Sequence, residues 1–563
     1  MAEGAKSADT HPAATVRLSR AVRPAEGPGA QFHASMRPYP TPPRPRDGPA
    51  PQPSGNGSPP RLVVVSNRVT DTRRDTKAGG LAIALAEALS EGGGLWFGWS
   101  GDVDAEADGL GPRLWSSGGI DLATIDLTPA ELEGYYHGFA NQCLWPILHY
   151  RADLVRFDRA FIAAYMAVNR RFAETLASQL RSDDIIWVHD FHLLPLGAEL
   201  RRLGCRQPIG FFLHVPFPPF QVLAALPGHG DLFETFFAYD VVGFQTANDL
   251  DCFRGYMRRM FGADVSSNGV LRRRQDELIA AAFPIGIDVQ SWAALSASEE
   301  TQRQVAKVRN SFRDRTLIVG VDRLDYSKGL PERFAAYRQF LEDNREMRSR
   351  TMLLQVSPPS RDTLDPYANI RRELDRLEGS IHGDFADMDW TPIRYVRRPL
   401  PRRRLAALYR ASCVGLVTPL RDGMNLVAKE YVAAQDENDP GVLILSCFAG
   451  AAEAMTAALI VNPHDVDQVA GALRRAIDMP VDERRARHAD LLAAIQEQDV
   501  HSWRRAFVGA LAHAGERLAG PQRGTARDPR SYADGASPLR RQEASRLRTP
   551  EPIDHATGLR RSL

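Results

Sequence analysis

The chain has 563 residues, of which 44% are hydrophobic and 25% charged, with a formal net charge of +1. That is the composition of a soluble globular protein too long for one ordinary core, so two packed domains plus tails are expected. The near-neutral balance gives no reason to expect nucleic acid as a partner. There is no apolar run of about 18 residues to enter a membrane, and no charged start followed by an apolar stretch to mark a secretory signal. A cytoplasmic protein is expected, and its five scattered cysteines, with no CxxC pair, are read as buried free thiols rather than a zinc site or a disulfide framework.

Residues 1 to about 60 are rich in Pro, Ala, Gly and Arg and read as a disordered tail. Order begins at Leu62-Val63-Val64-Val65, which places Arg68 just past the carboxyl end of a first strand. Gly79-Gly80 precede Leu81, Ala84, Leu85, Ala88 and Leu89 at helical spacing, so exposed backbone N–H groups at a helix start can meet an anion there. Asp102-Val103-Asp104 has the form of a metal-binding DxD. It lies among glycines and further acids with no strong strand before it, and is read as a solvated turn. Tyr135-Tyr136 and Leu144-Trp145-Pro146 supply aromatic rings for a sugar face or for a core, and spacing does not choose between the two.

From Asp184 the pattern is regular. Ile185 to Val188 ends in His189-Asp190, Ile209 to Leu213 ends in His214, and Val241 to Phe244 ends in Gln245-Thr246. Ligands of open parallel α/β sheets bind at the carboxyl ends of the strands, so Arg68, Asp190 and His214 are expected to share one crevice. Leu278 to Phe283 and the turn Pro284 to Asp288 close this half near residue 290, and a charged helical segment, Glu299 to Phe312, leads into the next.

The second half restarts at Thr316 to Val321. Arg323 and Lys328 follow on a loop with Gly329, a plausible clamp for a diphosphate. Met352 to Val356 ends in Ser357-Pro358-Pro359-Ser360-Arg361. Val414 to Val417 leads into Arg421 to Gln435, a polar loop and then a helix start, where Gly423 permits close backbone approach to an anion and Asp422 and Glu430 suit hydroxyls. An anion site beside hydroxyl acceptors points to a phosphorylated or nucleotide-linked sugar. With strands at Val442 to Leu445 and Leu459 to Val461, the expected fold is α/β, two doubly wound Rossmann-like domains over residues 61–295 and 296–518. Amphipathic helix runs from about Ala470 to Leu518, and residues 519–563 form a second disordered tail.

Taken together, Ser66-Asn67-Arg68, Gly79-Gly80-Leu81, Trp96 to Ser100, His189 to Pro195, His214 to Pro218, Arg323 to Gly329 and Arg421 to Gln435 resemble the trehalose-6-phosphate synthases, over about residues 61–505. The resemblance implies a GT-B fold with the acceptor mainly in the first domain and the sugar nucleotide mainly in the second. It implies transfer of glucose from UDP-glucose to glucose 6-phosphate with retention, without a cofactor or metal, in a homo-oligomer (dimer or tetramer). Motif by motif, Arg68, Tyr136, Trp145, Asp190 and Arg361 would hold glucose 6-phosphate. Gly79, Arg323, Lys328, Leu400, Asp422 and the segment Leu426, Val427, Ala428, Lys429 and Glu430 would hold UDP-glucose, with Glu430 on the ribose and Asp422 on the transferred glucose. The catalytic set would be Asp190, His214, Arg323, Lys328 and Asp422, while Trp145 and Val215 would help select the anomer.

Family members often carry an aromatic residue near the uracil. This chain has Leu400 within Arg397-Arg398-Pro399-Leu400-Pro401, so UDP is less firmly implied over GDP or ADP. Two rival readings are a sister synthase with another acceptor, such as glycerol 3-phosphate, and a non-catalytic sensor of sugar phosphates.

Overall fold

Strands covered by helices on both faces must be apolar on both, and the near-continuous aliphatic runs of this chain build two largely parallel sheets. The computed structural model describes residues 60–70, 80–90, 93–109, 111–266, 269–312, 315–361 and 364–519. Both expected tails, apart from residues 60 and 519, and Gly79 therefore lie outside the described residues.

The first sheet comprises β1 (Leu62–Arg68), β2 (Gly94–Val103), β3 (Arg113–Ser117), β4 (Ile120–Leu127), β5 (Ile185–His189), β6 (Ile209–Phe212), β7 (Val241–Phe244), β8 (Asp264–Val265), β9 (Val270–Arg273) and β10 (Asp276–Ala282). Their order is β3-β4-β2-β1-β5-β6-β7-β10-β9-β8. The block from β4 to β10 is parallel, flanked by antiparallel β3 on one edge and β9 and β8 on the other. The second sheet comprises β11 (Thr316–Val321), β12 (Thr351–Val356), β13 (Ile393–Val396), β14 (Val414–Val417), β15 (Val442–Ser446) and β16 (Leu459–Val461). It is parallel throughout, in the order β13-β12-β11-β14-β15-β16.

Each sheet grows outward from its first strand in both directions, which leaves a topological switch between β1 and β5 and another between β11 and β14. Loops leaving the carboxyl ends of such strands diverge and open a crevice. Arg68 and Asp190 stand at the first switch, and Arg323, Lys328 and Asp422 at the second.

The strand β2 is a departure from expectation. Asp102 lies at the end of a strong strand and Asp104 just past it, because Trp96, Phe97 and Trp99 supply the apolar payload that glycines dilute in the sequence. The pair is solvated, as expected, but only Asp104 leads into a turn: Asp104 Oδ1 accepts from Glu106 N at 3.0 Å, and exposed Asp102, still in the strand, faces Arg113 at 3.3 Å. The cysteines are free, but Cys413 and Cys447 are exposed rather than buried, since both sit just outside strand ends.

The chain passes between the two halves twice, and the crossings touch. Val500 N donates to Ile287 O at 3.2 Å, and a Cβ on Gly286 would stand 2.1 Å from Gln498 O. The last helix, Val500–Ala519, returns to the first sheet, where Trp503 and Phe507 lie 4.7 and 4.6 Å from the Trp187 ring. Each such ring removes roughly 150–250 Å² from water, up to about 4–6 kcal/mol. Among the described residues no helix is long and apolar enough to cross a membrane.

Candidate active site

The first half brings aromatic rings and one unusual carboxylate to the crevice. Asp190 follows β5 with φ 74° and ψ 166°, a conformation that side chains disfavour and that surrounding bonds must impose. Its backbone N donates to Phe212 O at 2.8 Å, and its Oδ1 accepts from His214 N at 3.2 Å. Burial raises its carboxyl to about 6; the bonds from Phe191 and His214 and the charges of Arg323 and Arg361 oppose that rise.

Trp145 closes a π-helical segment, Leu132–Leu144, and is 5% exposed. Two cations of the second half cover its ring, Arg361 at 4.0 Å and Arg323 at 5.6 Å. Its indole N–H is buried and meets no acceptor among the described residues. Tyr136 stacks on His192 at 5.9 Å and lies 5.6 Å from Trp99, while Tyr135, fully buried, belongs to the core. Arg68 is exposed at the end of β1, with its guanidinium 5.9 Å from the Trp99 ring and against Gly101, whose positive φ suits glycine. Arg68, Trp99, Tyr136, Trp145 and Asp190 thus form one wall.

Arg361 completes that wall from the other side. Its own backbone has φ 53°, and its Nη1 donates to Tyr367 Oη at 2.7 Å and to Asp325 Oδ2 at 3.2 Å. Burial pushes the Asp325 carboxyl up, but Arg361 and Arg323 outweigh this and hold it below the ordinary carboxylate range. The guanidinium is therefore aimed by a buried acid and a buried phenol, neither of which sequence spacing singles out.

At the second switch point Lys328 Nζ donates to Asp422 Oδ2 at 2.5 Å, and Asn425 Nδ2 donates to the same oxygen at 3.0 Å. Asn425 has φ 77° and caps the helix Leu426–Ala433, its Oδ1 accepting from Ala428 N at 3.1 Å. The amides of Leu426 and Val427 have no acceptor within the helix. Beneath the loop, Arg333, fully buried, donates to Asp322 Oδ2 at 2.7 Å, Gln355 Oε1 at 2.9 Å and Thr418 Oγ1 at 3.0 Å. This cation ties the ends of β11, β12 and β14 together.

Several residues of the expected donor segment sit differently. Gly423 is required by protein rather than by a ligand: a Cβ there would lie 2.1 Å from His214 O, so the glycine lets the two halves meet. Lys429 turns away from the crevice, 1% exposed, and donates to Ile285 O at 2.7 Å; burial lowers its ammonium to about 7. Glu430 lies behind the helix start, where Tyr409 Oη donates to its Oε2 at 3.4 Å and burial raises its carboxyl to about 7. Leu400 is half-buried against the core, and Val215 is 7% exposed beside Gly423.

His214 is neutral, pushed by burial to about 3, and both of its ring nitrogens are engaged. Nε2 is 3.0 Å from His189 Nδ1, and Nδ1 is 3.3 Å from Gln245 Nε2. His149, for which the sequence gives no signal, lies tilted against Trp145 with ring centroids 4.0 Å apart and donates from Nδ1 to Trp145 O at 2.8 Å. Arg421 lies over Tyr150 of the first half at 4.1 Å and Phe448 of the second at 4.9 Å. His189 and Gln245 were within reach of the strand-end rule, since each stands at or just past a strand's carboxyl end; His149 and Tyr367 carry no such signal.

Two parallel sheets with their switch points turned to one crevice, one lined with rings and the other with cations, define a GT-B glycosyltransferase. The chain belongs to Glycosyltransferase family 20, whose family model matches residues 56–513. It is 46% identical over 460 residues to the trehalose-6-phosphate synthase of Sinorhizobium fredii, covering 81% of this chain and 99% of that one. A crystal structure of a UDP-forming α,α-trehalose-phosphate synthase from Burkholderia xenovorans with glucose-6-phosphate superposes with a TM-score of 0.77 at 46% identity, over 80% of this chain and 100% of that chain. The E. coli enzyme bound with UDP-2-fluoro glucose gives a TM-score of 0.76 at 43% identity, over 80% and 98%.

Proposed function

We propose that the protein transfers glucose from UDP-glucose to glucose 6-phosphate with retention, forming α,α-trehalose 6-phosphate and UDP. The observation that carries this reading is the Trp145 indole, whose buried N–H meets no acceptor among the described residues and lies beside two arginines of the opposite half. An indole N–H donor beside clustered cations suits a phosphorylated sugar, the cations taking the phosphate and the N–H a hydroxyl oxygen. The names of the relatives carry the same pair of ligands. The acceptor is assigned to Arg68, Tyr136, Trp145, Asp190 and Arg361, and its phosphate to the arginines. The donor is assigned to Arg323, Lys328, Asp422 and the helix start at Leu426, with residues 61–295 and 296–518 as the two domains except for the last helix, which packs on the first sheet.

In this reading the bond from donor C1 to the diphosphate oxygen breaks while the acceptor's anomeric hydroxyl bonds to C1 on the same face. The hydroxyl proton passes to the departing β-phosphate oxygen, and UDP leaves. A double displacement needs a carboxylate free to attack the opposite face. Asp422 is held by Lys328 and Asn425 and Asp190 by His214 N, which favours same-face substitution. Arg323, Lys328 and the first-turn amides stabilise the charge that grows on UDP. Leu400 offers the base an aliphatic contact, and we assign uracil on the relatives' ligands. The test is product identification by NMR for glucose 6-phosphate and glycerol 3-phosphate against UDP-, GDP- and ADP-glucose. Trehalose 6-phosphate with an axial anomeric linkage from UDP-glucose is expected; a glycerol product, or none, would replace this reading by one of its rivals.

A further inference from the structure

Gln245 lies buried, 3% exposed, just past β7, between the interdomain crossing and His214. Its Oε1 accepts from Ile285 N at 3.0 Å, and its Nε2 is 3.3 Å from His214 Nδ1. A backbone N–H can only donate, so the amide atom facing Ile285 must be the oxygen and the one facing His214 the NH₂ group. His214 Nδ1 must then accept, which puts the ring proton on Nε2, where it donates to His189 Nδ1 at 3.0 Å. His189 in turn carries its proton on Nε2, a fully buried atom without a hydrogen-bond partner among the described residues, with its ring 4.5 Å from that of Trp187. Ile285 is held from the second half as well: its carbonyl accepts from Lys429 Nζ at 2.7 Å, on the same helix whose start is assigned to the donor. Every hydrogen bond in this line therefore has one permitted direction, and the direction originates at a backbone amide of the crossing segment.

We propose that Gln245 is a positioning residue for the transfer, fixing His214 as the Nε2–H tautomer in a single orientation beside Asp190 and Gly423. The inference rests on the proposed glucosyl transfer for its effect on rate, but not for the tautomer itself. A ring so fixed moves no proton; it holds the His214 backbone, whose carbonyl packs against Gly423 next to Asp422. Gln245→Glu keeps the acceptor for Ile285 N and turns the donor toward His214 into a second acceptor, which draws a proton onto Nδ1; Gln245→Met removes both bonds at similar volume.

The experiment is two-bond ¹H–¹⁵N NMR of the histidine-labelled full chain, with His214 identified by its loss in His214→Asn, alongside steady-state kinetics and UDP calorimetry. In the wild type, His214 is expected with a protonated Nε2 and a bare Nδ1. In Gln245→Glu, Nδ1 is expected to be protonated and kcat to fall about ten- to a hundredfold, as a misaligned group costs, with UDP affinity unchanged. Gln245→Met should lower kcat in the same direction without protonating Nδ1. A wild-type His214 protonated on Nδ1 overturns the proposal whatever the variants do. So does a folded Gln245→Glu with wild-type kcat. Failure of the transfer reading alone would leave the NMR pattern as expected and change only the product.

Discussion

The guanidinium carbon of Arg361, past the end of a second-sheet strand, lies 4.0 Å from the ring centroid of Trp145, in a helical segment of the first half. Asp325 and Tyr367 aim it there, so an acceptor bound at this ring touches both halves of the protein at once. A charged hydrogen bond to phosphate is worth roughly 1.5–3 kcal/mol. Arg361→Ala should weaken use of glucose 6-phosphate by about ten- to a hundredfold, each 1.4 kcal/mol being about tenfold. Its UDP affinity should stay near wild type. Arg323→Ala should do the reverse, losing UDP affinity and turnover through the leaving group. Calorimetry with UDP and the acceptor dependence of rate, on both variants, check the pair; an Arg361→Ala that mainly lost UDP would reverse the division of the crevice.

The ion pair of Lys328 with Asp422 should matter for rate more than for fold. The lysine is 9% exposed and forms its ion pair with that carboxylate, 2.5 Å away. Asp422→Asn keeps the shape and the bond from Asn425 in altered form but removes the counter-charge. Turnover is expected to drop by roughly two orders of magnitude, the scale of losing an electrostatic partner in a closed site, with the melting temperature little changed. Equal losses in both would assign the pair to stability.

Glu430 gives a pH dependence with a definite sign. Burial raises its carboxyl from an ordinary 4.5 to about 7 in the folded protein. The folded state thus holds a proton that the unfolded chain has lost, so this group's stabilisation is full below pH 4.5 and declines as pH rises towards 7. Glu430→Gln, neutral at every pH, should be more stable than wild type above pH 7 and show no such decline. The difference between the two melting curves isolates Glu430 from Asp190, which burial also raises. A difference independent of pH would contradict the assigned burial.

Chelators should leave turnover intact. The diphosphate is offered Arg323, Lys328 and the amides that open the helix Leu426–Ala433. Restoration of a lost rate by magnesium or manganese after chelation would require a different donor site.

A chain trimmed to residues 58–520 should fold and keep full turnover, because the sequence beyond it has no apolar periodicity with which to join a core. The check is soluble yield and kcat. The end point matters physically: the last helix reaches Ala519 and its Trp503 and Phe507 pack on the first sheet, so trimming into that helix should cost solubility.

Ten of the sixteen strands, and the residues standing at their ends, were legible in the chain's aliphatic runs. Uninterrupted aliphatic runs mark strands buried on both faces, and a parallel sheet puts its polar chemistry where those runs stop. That rule was enough for Arg68, Asp190, His214, Arg323, Lys328, Arg361 and Asp422. It missed β2, whose glycines thin the apolar signal, and β3, β4, β8, β9 and β13, which are short or interrupted by polar residues, and it said nothing of which end faces which. Only the tertiary structure paired Lys328 with Asp422 across 94 residues, turned Lys429 from the crevice to Ile285, and set Gly423 against His214. The reason is that periodicity reports how a residue meets its own sheet. Contacts between two sheets depend on how the halves dock, which no local pattern encodes.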